Sequence, residues 1–107
     1  MLLSQLQREH ERWLDHNFPN QKPHQALLGL IEEVGELSHA HLKHEQGIRG
    51  LTDEEFKILA GDAIGDIMIY LASYCNTNGF NLALVTKETW DRVKQRDWRK
   101  DPENAAG

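Results

Sequence analysis

Two groups of carboxylates carry the chemistry this chain could perform. Glu32, Glu33 and Glu36 stand in the run EEVGE, and Asp62 and Asp66 follow about thirty residues later in GDAIGD. Around the first group, Leu27, Leu30, Ile31, Val34, Leu37 and His41 recur at helical spacing, which predicts an amphipathic helix. At about 100° per residue Glu33 borders the apolar stripe, while Glu32 and Glu36 lie further round. Glu33 and Glu36, at i and i+3, can converge on one ligand.

The second group sits in ILAGDAIGDIMIYLA (58–72), which is apolar on nearly every side and predicts a buried helix. Asp62 and Asp66, at i and i+4, share one side of it. A buried, unpaired carboxylate costs on the order of several kcal/mol, so it must be protonated, paired or metal-bound. Lys57 is the nearest cation in sequence. A divalent cation held by four or five carboxylates resolves the conflict. Hard oxygen ligands suit Mg²⁺ or Mn²⁺ over zinc, and such a site recruits phosphate oxygens from a substrate.

Other residue types are less specific. His39, His41 and His44 point in different directions around their helix, so ordinary surface or core roles are expected. Glu36 and His39 make one Glu-x-x-His pair of the kind found in di-iron bundles, which need two. Tyr70 lies one turn after Asp66, either as a core tyrosine or as an aromatic platform beside a metal. Trp13 and Phe18 are expected to pack between helices. Lys87, Arg92, Lys94, Arg96, Arg99 and Lys100 make the C-terminal stretch the most basic part of the chain. They suit a helix C-terminus and would also suit a polyphosphate.

The elements that must position these residues are all helical. The first helix is expected from residue 2 to about 17, broken by Asn17-Phe18-Pro19-Asn20. Pro23 opens a second, running to about Gln46. Thr52 and Glu55 form a capping box for a third, ended by Asn78-Gly79. Asn81 begins a fourth that is expected to reach Trp98, and residues 99–107 form a frayed tail. No strand pattern, repeat or linker is evident, and Gly35, Gly61 and Gly65 are expected to let helices approach closely around the site. The expectation is one all-α domain over 1–107, a four-helix bundle with its ordered core at about 2–98. The third helix is expected to be sandwiched in a homodimer or dimer of dimers.

Composition narrows the class. The net charge of −5 over 107 residues argues against a nucleic-acid or anionic-membrane binder. A single cysteine, Cys75, excludes an internal disulfide and reads as a buried, inert thiol. No membrane span or secretion signal is expected, so a cytoplasmic location follows by default.

Over about residues 10 to 98, LLGLIEEVGELSHAHLK followed by DAIGDIMIYLA resembles the MazG-like all-α nucleoside triphosphate pyrophosphohydrolases, relatives of dimeric dUTPases and phosphoribosyl-ATP pyrophosphatase. The family signature, Glu-Glu-x-x-Glu then Glu-x-x-Asp, is matched at Glu32, Glu33, Glu36 and Asp66. Ala63 stands where the second glutamate would be, with Asp62 one residue earlier. The resemblance implies hydrolysis of a (deoxy)nucleoside triphosphate to the monophosphate and pyrophosphate. It implies Mg²⁺ on Glu33, Glu36 and Asp66, with Asp62 as a candidate fourth ligand and Glu32 orienting or deprotonating the attacking water. It also implies part of a base pocket from Trp13, Asn17 and Phe18, Tyr70 beside the nucleotide, and phosphate contacts from Lys94, Arg96 and Trp98. Triphosphate hydrolysis needs charge neutralisation and an activated water, with no covalent nucleophile or glycine-rich loop. Two rivals stand beside this reading: a non-catalytic nucleotide- or metal-binding helical module, which Ala63 favours, and a di-iron carboxylate protein dependent on His39.

Overall fold

The computed structural model describes residues 1–47 and 49–102; residues 103–107 of the expected tail lie outside the described residues. Four helices and no strand are present among them: α1 (Leu3–Asn17), α2 (Pro23–Gln46), α3 (Asp53–Asn78) and α4 (Leu82–Val93). Local chemistry sets the boundaries. Pro23 sits in the first turn of α2, and Gln25 Oε1 accepts the Lys22 backbone N–H at 2.6 Å. Thr52 Oγ1 accepts the Glu55 N–H at 3.1 Å while Glu55 Oε1 accepts the Thr52 N–H at 3.1 Å, the reciprocal cap expected for α3. These bonds hold the Glu55 carboxyl below its usual range. Gly47 (φ 71°) and Gly79 (φ 76°) end α2 and α3 in the left-handed region that glycine tolerates.

Helix α4 stops at Val93, five residues before the expected end at Trp98. Beyond it Asp97 Oδ1 accepts the N–H groups of Arg99 (3.2 Å) and Lys100 (3.0 Å). That local acceptor offers the backbone an alternative to the helical ladder. Lys94, Arg96 and Trp98 therefore leave the helix on a run of turns.

The packing is more open than a closed four-helix bundle. α2 packs on α3 alone, α1 packs on the C-terminal part of α3, and α4 bridges α1 and α3. The fully buried positions are mostly small: Ala26 and Ala40 on α2, Ala60, Ala63, Ala72, Ser73 and Cys75 on α3. Burial pushes the Cys75 thiol up, in keeping with an inert side chain. The radius of gyration is 17.3 Å, where a compact chain of this length has about 13 Å. Helix α3 is not enclosed on all sides: Ile58, Leu59, Ile64 and Ile69 are exposed, as are both Asp62 and Asp66. This corrects the expectation of two buried aspartates, since no helix of the same chain covers that side. Over 18 residues α3 reaches a mean hydropathy of 1.3, long and apolar enough by composition to cross a membrane. No such stretch was expected from the sequence. Asp62 and Asp66 stand near its middle, where a bilayer would charge heavily for them.

Gln7 fixes α1 against its neighbours. Its Nε2 donates to the Phe80 carbonyl (2.7 Å), its Oε1 accepts the Leu82 N–H (2.9 Å), and its carbonyl accepts from Asn76 Nδ2 (2.9 Å). The glycine that permits close helix approach is Gly29, whose missing Cβ leaves room for the Tyr70 ring; Gly35, Gly61 and Gly65 face open space. Gly29→Ala should therefore push the Tyr70 ring aside and lower the melting temperature. Helix propensity alone would raise stability by about 1 kcal/mol, so a raised melting temperature in thermal denaturation would refute this contact.

Candidate functional site

The rotation of α2 decides what the acidic residues meet. Its face against α3 carries Ala26, Gly29, Leu30, Glu33, Leu37 and Ala40, all buried or half-buried. Leu27, Ile31 and Val34, expected to lead the core stripe, are exposed at 42%, 61% and 46%. The inward face is thus turned roughly a quarter turn from the expected one, and Glu33 moves from its border to its middle. The small residues Ala26, Gly29 and Ala40 explain this, because they let the α2 and α3 backbones draw together where leucines would hold them apart.

Glu33 Oε2 is sealed from solvent and has no hydrogen-bond partner. Its carboxyl is raised above the usual range, first by desolvation, then by the negative charges of Glu36, Asp66 and Glu32. Glu32, Glu33, Glu36 and Asp66 therefore share one electrostatic neighbourhood between α2 and α3. Asp62 is exposed and is not among the charges that Glu33 feels. Ala63, by contrast, is buried at 3% in the interface with α2. The family's second glutamate position thus holds a buried methyl group.

Among the described residues, no three His, Cys, Asp or Glu side chains converge closely enough to hold a metal ion as they stand. The donor set nevertheless fits a hard cation. A desolvated carboxylate crowded by two or three others has no cationic side chain as a partner, and a divalent ion would relieve both the burial and the repulsion. Glu33, Glu36 and Asp66 are the residues that would have to draw together to share one.

Asp66 also opens onto a cleft of about 1050 Å³ between α1, α3 and the α1–α2 turn. Trp13, Asn17 and Phe18, expected to form part of a base pocket, and Tyr70, expected beside the nucleotide, all line it. Trp13 and Phe18 meet at 5.9 Å with their rings tilted by 59°. Asn17 Nδ2 donates to the Trp13 carbonyl at 2.9 Å, which leaves its side-chain oxygen as an acceptor. Two lining residues carried no sequence signal. His10 stacks on Trp13 at 5.6 Å and 26°, with its Nε2 buried and unpartnered, and burial lowers its pKa. Ser73 is 1% exposed, with an unpartnered Oγ. A polar residue inside an apolar helical turn was the only available hint of Ser73, and it does not reveal what the turn faces.

The basic close stands apart. Arg96, Trp98, Arg92 and Lys100 surround a separate hollow of about 650 Å³ that shares no lining residue with the cleft. Lys94 pairs with Asp91 at 3.1 Å, and Asp91, also bound to Lys87 at 2.6 Å, is held below the usual carboxylate range. Within one chain these residues do not join the carboxylates. The histidines have ordinary roles: His44 stacks on Phe56 (4.5 Å, 16°) and bonds Asp53 (2.6 Å), His41 pairs with Glu45 (3.5 Å), and His39 is exposed.

Comparison with family models, with curated proteins and with solved structures finds no match to this chain.

The cluster has a thermodynamic signature. Because the folded state raises the Glu33 pKa above its ordinary value of 4.5, this group contributes stability below pH 4.5 that is lost as pH rises through the folded value. Glu33→Gln removes the charge and keeps the shape. In chelator-treated protein at pH 7 it should raise the melting temperature by a few degrees, and the gain should vanish near pH 4.5. Equal gains at both pH values would show that Glu33 is not crowded.

Proposed function

We propose that this chain is a Mg²⁺-dependent nucleoside triphosphate pyrophosphohydrolase of the MazG-like all-α type, working as a homo-oligomer. The observation that carries the reading is the sharing of Asp66 between a crowded carboxylate cluster and an aromatic-walled cleft. A cation site and a flat-ring site that meet at one residue match a ligand with a base at one end and phosphates at the other.

In this reading Glu33, Glu36 and Asp66 hold the cation, which when bound supplies charge neutralisation at the phosphates and a more acidic water. Glu32, exposed beside them, orients or deprotonates the attacking water. Trp13, Phe18 and Tyr70 hold the base by stacking. Lys94, Arg96 and Trp98 reach the phosphates only as residues of a second copy. Ala63 favours the rival reading of a binding module without turnover, because it withdraws one carboxylate from the side of α3 that faces Glu33.

A second copy is supported by the surface. A compact chain of 12.3 kDa exposes about 6,100 Å², and this one exposes 8346 Å². Leu27, Leu28, Ile31, Val34 and Leu42 on α2, with Ile58, Leu59 and Ile64 on α3, are among the large apolar side chains left exposed. An exposed apolar surface of this kind is typical of a protein–protein interface.

Pyrophosphate release measured across the NTPs and dNTPs should require Mg²⁺. It should fall by about two orders of magnitude or more in Glu36→Ala and Asp66→Ala. Full activity in either variant would overturn the site assignment, and Mg²⁺-dependent stabilisation without turnover would favour the binding module. Ile31→Asp should halve the mass seen by analytical ultracentrifugation; an unchanged mass would remove α2 from the interface.

A further inference from the structure

The antiparallel register of α1 on α3 puts two unsatisfied polar atoms at one end of the cleft. Asn76 Nδ2 donates to the Gln7 carbonyl at 2.9 Å, and the cleft is lined by residues 6–17 of α1 and 66–73 of α3. One turn into the cleft from that clamp, His10 follows Gln7 at i+3 and Ser73 precedes Asn76 at i−3. Both residues line the cleft, and His10 Nε2 and Ser73 Oγ are buried without a hydrogen-bond partner. A helical serine ordinarily satisfies its hydroxyl on the carbonyl four residues earlier, so an unpaired hydroxyl at 1% exposure is costly unless something fills the cleft.

We propose that His10 and Ser73 form the polar end of this cleft and select its occupant, a flat heterocycle whose edge carries an adjacent hydrogen-bond donor and acceptor. Trp13, Phe18 and Tyr70 bind any flat ring by its faces and discriminate weakly, because every base has a π-face. Discrimination requires directional groups, and these two are the unpartnered ones. Burial keeps His10 neutral near pH 7, so its ring offers one N–H and one bare nitrogen, while the Ser73 hydroxyl rotates to donate or accept. An amide-type or amidine-type edge, as nucleobases present, satisfies both. A purely hydrocarbon ring leaves both orphaned. Glu9 and Asp66 on the cleft wall add negative charge and disfavour an anionic ring.

This rests on reading the cleft as the base side of a nucleotide site, but its test needs neither phosphate nor metal. Isothermal titration of the full chain with adenosine, guanosine, cytidine, uridine and thymidine, in chelator, reads the cleft alone. His10→Phe keeps the stack on Trp13, and Ser73→Ala removes only an unpaired hydroxyl, so both should keep wild-type helicity by circular dichroism. The wild type should rank the nucleosides, and each variant should lose about tenfold in affinity for the best one, flattening the ranking. An unchanged ranking in either variant, or no binding of any nucleoside by the wild type, overturns the assignment. Ranked nucleoside binding without pyrophosphate release would leave this inference standing and remove the hydrolase reading. Hydrolysis whose base preference survives both substitutions would do the reverse.

Discussion

The burial of Glu33 in the α2–α3 interface is the constraint on which the rest of the structure depends. Helical geometry ties positions 26, 29, 33, 37 and 40 to one side of α2. If Ala26, Gly29 and Ala40 are to meet α3 closely, Glu33 must enter the interface with them. An apolar side chain there would pack at lower cost, because a desolvated carboxylate beside Glu36 and Asp66 opposes folding at neutral pH. The same rotation that buries Glu33 turns Leu27, Ile31 and Val34 outward. One geometric choice thus produces both the strained acidic cluster and the exposed apolar stripe.

Those two consequences sit on different sides of α2, and each asks for something a single chain does not supply. The cluster lacks positive charge and the stripe lacks a covering surface. The glycines Gly35, Gly61 and Gly65, with open space above them, add to the uncovered area features that favour a close backbone approach. The chain's own core is small, built mainly on alanines and on the Leu14, Ala72, Cys75 and Leu82 contacts. A fold with so little buried bulk gains most from covering what it leaves out.

Much of this was legible in the sequence where local chemistry decides structure. Pro23, the Thr52–Glu55 box and Gly79 each specify a terminus within a few residues, and the structure places those termini accordingly. The end of α4 was not legible, since the Asp97 side chain competes for backbone N–H groups that the basic pattern of the segment does not reveal. The rotation of α2 was not legible either. A stripe of leucines outweighs alanines and a glycine in any count of apolar residues, yet the smaller residues permit the closer approach. Trp13, Asn17, Phe18 and Tyr70, singled out from the sequence, line one cleft. His10 and Ser73 were missed because their significance arises from the register of α1 on α3, which the Gln7 clamp sets and no local pattern encodes.

That register also orders the chemistry along a single rigid element. Ser73, Tyr70 and Asp66 follow one another on α3 at steps of three and four, so a polar contact, an aromatic face and a carboxylate lie in line over about 10 Å of helix axis. Gly29 lets Tyr70 lie flat against α2 between the other two. Because all three ride on one helix, their spacing does not depend on loop motion, and α2 contributes Glu33 and Glu36 at the carboxylate end only. A ligand that meets Ser73 with the edge of a ring must extend past Tyr70 to reach the charge at Asp66.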